Sequence, residues 1–126
     1  MSGRVVHFEV PYDDAERAGA FYAEVFGWKI QHMPELSYHI VSTGPATDEG
    51  MPSEPGYIGG GMAERSAGFT QPVITIDVDD MDAALERVRS NGGSQVGETI
   101  PVGEMGVAAY FSDSEGNVMG LWQSTG

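Results

Sequence analysis

Residues 7–27 read HFEVPYDDAERAGAFYAEVFG, and residues 73–93 read VITIDVDDMDAALERVRSNGG. The two stretches align without a gap. Asp13 and Asp14 fall on Asp79 and Asp80, Ala18 on Ala84, Tyr22 on Val88, and Gly27 on Gly93. Self-similarity on this scale marks two copies of one supersecondary unit, each needing a neighbour to bury its apolar face.

Within the first copy, residues 5–10 alternate. Val6, Phe8 and Val10 share one face, and Val5, His7 and Glu9 share the other, as the two-residue period of a strand requires. Pro11 is expected to end that strand, and Asp13–Asp14 supplies a helix N-cap. Ala18, Phe21, Tyr22 and Val25 follow at helical spacing as an apolar stripe expected to face the core, and Gly27 is placed to cap the C-terminus. Strands are predicted at 28–31, 38–43 and 57–62, with a proline-bearing loop at 44–56. The second copy repeats the order. A strand at 73–78 leads to a helix carrying Met81, Ala84, Leu85 and Val88, then to strands at 94–97, 106–112 and 118–123. Asp113 to Asn117 has the polar and glycine residues of a hairpin turn. The fold class is therefore α+β, with two tandem βαβββ modules (about 4–62 and 72–123) whose sheets are expected to form an open cleft within a single domain, 1–126.

The 126 residues suffice for one core, and a 40% hydrophobic content is that of a globular chain, not a disordered one. No apolar run approaches the length of a membrane span. The opening MSGRVVHFEVP is too soon interrupted by charge to read as a signal peptide, so a cytoplasmic location is expected. Without cysteine there is neither a disulfide framework nor a thiolate nucleophile. A net charge of −13 argues against nucleic acid as a partner and favours a cationic ligand if carboxylates line a concave site.

The first strand ending in Asp–Asp, the AERAGAFYAEVFGW helix exit, the second helix VDDMDAALERVRSNGG and the closing DSEGNVMGLWQ together resemble the vicinal oxygen chelate superfamily, the glyoxalase/bleomycin-resistance/dioxygenase fold. The resemblance covers nearly the whole chain. It implies a divalent metal held by His or Glu on the first strand of each module and Glu on the last strand. His7 falls on the first of these positions, Val73 on the second and Gly120 on the third, with a fourth near Gly59–Gly61. Only His7 can coordinate, so no cofactor is expected. A non-standard divalent-metal site from His7, Glu9 and Asp77 is the alternative.

By strand parity, Thr75 and Asp77 share the face of Val73, Trp122 that of Gly120, and Tyr110 that of Ala108 and Ser112. The candidate ligand-binding residues are therefore His7, Glu9, Val73, Thr75, Asp77, Tyr110, Gly120 and Trp122. The leading expectation is a metal-independent small-molecule-binding protein, sequestering a cationic or aromatic ligand. One alternative is a glyoxalase-like lyase or isomerase, or a dioxygenase. The other is a protein-interaction module. The expected partners are a small molecule and a second copy of the chain, with no nucleic acid or membrane.

Overall fold

A computed structural model describes residues 2–33, 37–48 and 50–125; Pro34, after the second predicted strand, and Glu49, in the predicted loop, lie outside them. The elements run β1 (Val5–Tyr12), α1 (Ala15–Phe26), β2 (Lys29–Met33), β3 (Tyr38–Ser42), β4 (Gly59–Glu64), β5 (Val73–Asp77), α2 (Met81–Ser90), β6 (Ser94–Val102), β7 (Gly106–Ser112) and β8 (Val118–Ser124). This is βαβββ twice over, an α+β fold with eight strands and two helices among the described residues. No helix among the described residues is long and apolar enough to cross a membrane.

The caps follow the aspartate pairs, with the second of each doing the capping. Asp14 accepts the N–H of Arg17 at 3.0 Å, and Asp80 accepts that of Ala83 at 3.1 Å. Gly27 takes φ of 74°, the left-handed conformation that closes α1. The first strand runs beyond the expected stop, because Pro11 pairs opposite Ala63 without breaking the ladder to β4. Proline is tolerated in a strand wherever the ladder does not call on its missing N–H. The predicted strand at 94–97 is the first part of the longer β6, which continues to Val102 past an irregularity between Val96 and Ile100; Gly97 lies there at φ of 75°.

The chain divides into two compact units, one of residues 7–72 and the other of residues 73–126 together with the N-terminal residues up to Val6. In the 7–72 unit the strand order is β2-β3-β4-β1, with β1 parallel to β4. In the other it is β5-β8-β7-β6, with β5 parallel to β8. The N-terminal residues join this second unit through Gly3 N–H to the Asp77 carbonyl (2.9 Å) and Asp77 N–H to the Arg4 carbonyl (2.8 Å).

The helices use their stripes differently. In the second unit Met81 and Leu85 of α2 are buried with Val78, Ala109, Phe111 and Leu121 in one apolar cluster. The residues matching Met81 and Leu85 in the first copy are Ala15 and Gly19, which lack the reach for such packing. There α1 is held by an aromatic chain instead. Tyr22 stacks on Trp28 at 4.7 Å, and Trp28 meets Phe8 at 5.5 Å. Phe21 and Val25, expected in the core, are 56% and 55% exposed, and Phe26 is 61% exposed.

Candidate functional site

His7 and Glu9 stand two residues apart on β1 and share a face. The ladder to β4 sets them opposite Gly59 and Gly61. Tyr38, the first residue of β3, lays its ring over Gly61. A side chain at 61 would collide with the Tyr38 hydroxyl and ring, so glycine is what allows the tyrosine to lie there. The hydroxyl donates to Glu9 Oε2 at 2.8 Å and lies 2.8 Å from His7 Nε2. With its one proton spent on Glu9, the phenol accepts from a protonated Nε2 of His7. The three side chains form one hydrogen-bonded chain, His7–Tyr38–Glu9.

Glu9 is buried, 9% exposed, while His7 and Tyr38 are partly covered. A carboxylate so deep in the fold needs a donor, and the phenol provides one. Burial lowers the His7 pKa below the usual 6.5, with Glu9 pulling the other way, so the ring is held towards its neutral form. The sign for stability follows. A depressed folded pKa means that the unfolded chain takes up the proton first as pH falls, so this contribution is present above 6.5 and is lost as pH drops through the folded value. Urea unfolding from pH 7.5 to 5.0 is expected to show stability falling with pH, and less steeply in His7→Gln. The lowered His39 pKa acts in the same direction, so a residual slope should remain in the variant.

The other candidates lie in the second unit and share one sheet face. Thr75, Gly120 and Tyr110 form a single row across β5, β8 and β7. Asp77, Trp122 and Ala108 form the next. Val73 and Thr75 are 4% and 7% exposed. The opposite face, with Ile76, Leu121 and Ala109, packs under α2. A side chain at 120 would meet Thr75 Oγ1 at 2.8 Å, so that hydroxyl lies over the position where the resemblance implies a carboxylate. Asp77 Oδ2 accepts from Ser2 Oγ at 3.0 Å.

Tyr38 is the member that the sequence reading missed. The available signal was a run of three glycines on a strand beside an aromatic one. Two surface concavities of about 620 and 660 Å³ lie in the 7–72 unit, and neither is lined by His7, Tyr38 or Glu9.

The sequence profile described as bleomycin resistance protein-like N-terminal matches residues 4–44. A glyoxylase-like domain-containing protein of Didymella fabae is 34% identical over 93% of this chain and 91% of its own. The lactoylglutathione lyase of Salmonella typhimurium is 33% identical over 90% of this chain and 87% of its own. Among solved structures, a Streptomyces coelicolor methylmalonyl-CoA epimerase superposes with a TM-score of 0.68 at 16% identity, covering all of both chains.

These relatives correct the expectation that no cofactor is called for. Lactoylglutathione lyases and methylmalonyl-CoA epimerases of the superfamily usually use a divalent metal. The expectation weighed the side chains at Val73, Gly120 and Gly59–Gly61, with Glu9 and Asp77 as neighbouring donors, and did not reach Tyr38, whose hydroxyl lies over Gly61. Side chains of the right kind are present in part, since an imidazole and a carboxylate, those of His7 and Glu9, flank a single phenol oxygen. They do not by themselves fit a metal centre, because among the described residues no three His, Cys, Asp or Glu side chains gather to hold an ion. Of the alternative set, His7 and Glu9 belong to the 7–72 unit and Asp77 to the other. With the repeat, the eight-stranded α+β architecture and two relatives above 30% identity along most of its length, the chain belongs to the vicinal oxygen chelate superfamily, the glyoxalase/bleomycin-resistance fold.

Proposed function

We propose that the chain is a small-molecule enzyme of the glyoxalase type that moves a proton at a carbon next to a carbonyl group. The observation that carries this reading is the His7–Tyr38–Glu9 chain. It offers a buried carboxylate that can accept a proton and an imidazole N–H that can return one, joined through a phenol by two contacts of 2.8 Å. An acid and a base in one hydrogen-bonded line are what a proton shift between neighbouring atoms requires. The lactoylglutathione lyase relatives support an acyl thioester of that kind as the substrate class. The face bearing Val73, Thr75, Tyr110, Gly120 and Trp122, with Asp77 at its end, is proposed as a ligand-facing surface of its own unit.

Incubation with S-lactoylglutathione in D2O, followed by proton NMR, tests the reading. Deuterium entering at the carbon beside the thioester carbonyl faster than in buffer supports it, and no exchange with or without added divalent metal overturns it. The net charge of −13 and the bleomycin-resistance-like match favour a second reading, sequestration of a cationic ligand. Absence of exchange together with altered Trp28 or Trp122 emission on adding cationic aromatic compounds would select it.

The proposal includes a homodimer. Phe21, Val25 and Phe26 are exposed where the second copy of the repeat carries Arg87, Asn91 and Gly92, so the fold itself does not require apolar residues there. Sedimentation equilibrium is expected to give the mass of two chains, and Phe26→Glu that of one.

A further inference from the structure

His32 on β2 and His39 on β3 stand directly opposite each other in the antiparallel ladder. His32 Nδ1 lies 3.2 Å from each of the two ring nitrogens of His39, and the ring centroids are 4.4 Å apart. The ring of Tyr12 meets His39 edge-on at 5.6 Å and steadies it. The pair lines the concavity of about 660 Å³ together with Tyr12, Ala15, Glu16, Ser37 and Glu64. None of these residues belongs to the His7–Tyr38–Glu9 chain.

We propose that His32 and His39 form a divalent transition-metal site, separate from the His7 cluster. Imidazole is a favoured ligand for zinc, nickel and copper. Two nitrogens bound to one ion at ~2.05 Å stand about 3.3 Å apart in tetrahedral geometry and about 2.9 Å apart in square-planar geometry. The observed 3.2 Å falls between these values, so the strand ladder already sets the spacing of a chelate. His32 is exposed and His39 partly so, which leaves the rings free to turn their lone pairs to a common point. The carboxylates of Glu16 and Glu64 line the same groove and add negative potential that draws a cation in. No third His, Asp or Glu completes a cluster among the described residues, so water fills the remaining coordination positions. Such a site holds its ion at two points and keeps positions open to a ligand entering the groove.

The full chain, stripped of metal with a chelator, is titrated with Zn2+ by calorimetry. One equivalent bound in the micromolar range is expected, at least tenfold weaker in His32→Asn and in His39→Asn, and within twofold of the parent in His7→Asn. Because the ion ties β2 to β3, Zn2+ should also raise the melting temperature of the parent and not that of the His32 variant. Circular dichroism checks that each variant is folded. Binding that is absent in the parent, unchanged in both groove variants, or lost in His7→Asn would overturn the proposal.

Discussion

Gly61→Ala is expected to destabilise the protein by about 3 kcal/mol and to dismantle the His7–Tyr38–Glu9 chain. The added methyl would occupy the space of the Tyr38 hydroxyl and ring. The obstacle is the far end of a side chain and not backbone, so the tyrosine swings away instead of the sheet deforming. The cost then lies in what the hydroxyl leaves behind. Glu9 is 9% exposed and loses a donor to its carboxylate, and His7 loses its partner. A hydrogen bond to a charged group is worth roughly 1.5–3 kcal/mol, and the lost contact to His7 adds to that. Urea unfolding in two backgrounds isolates the cause. In Tyr38→Ala the obstacle is gone, and Gly61→Ala should be nearly neutral there, since alanine lowers the entropy of the unfolded chain. Gly60→Ala is the contrast. Its methyl would lie 2.6 Å from the Phe8 carbonyl oxygen, so its cost should be the same in both backgrounds. Equal costs for Gly61→Ala in the two backgrounds would show that Tyr38 does not set the requirement for glycine.

The same glycine shows what a one-dimensional reading can and cannot reach. Alternation over residues 5–10 places His7 and Glu9 on one face, and the structure agrees, because the period of two is a property of the strand itself. The Asp pairs mark both helix starts for an equally local reason. Tyr38 joins the site only through the registers of β3 with β4 and of β4 with β1, which bring residues from three separate stretches together. Nothing near Tyr38 in the sequence encodes those registers. The stripe on α1 fails for a related reason. Helical spacing tells which residues share a side, while covering that side depends on neighbours. In the second copy Met81 and Leu85 reach the sheet, and in the first Ala15 and Gly19 stand in their places. Likewise, the cofactor expectation tested side chains at fixed positions, although a ligand set is assembled in three dimensions.

Glu9→Gln is expected to slow deuterium exchange into S-lactoylglutathione by about 10²–10⁴-fold, the range assigned to a positioned general base. Glutamine keeps the size of the side chain and an oxygen to accept the Tyr38 proton, so the local packing and the hydrogen bond from the phenol survive. What it loses is the capacity to take up a proton from carbon. KM should therefore change little while kcat falls. Tyr38→Phe removes the link and leaves both ends in place. His7 and Glu9 are then no longer held by a shared oxygen, and the buried carboxylate loses a donor that fixes its orientation. A smaller loss, about tenfold to a hundredfold, is expected, as befits a positioning role. The decisive value is that of the double variant. If Tyr38 acts through Glu9, removing it from a chain that already carries Glu9→Gln costs little more, and the two losses fall short of multiplying. Fully multiplicative losses would mean that the phenol touches the substrate independently. Undiminished exchange in Glu9→Gln would remove the base from the mechanism and leave His7, with its lowered pKa and its neutral ring, as the group that takes the proton.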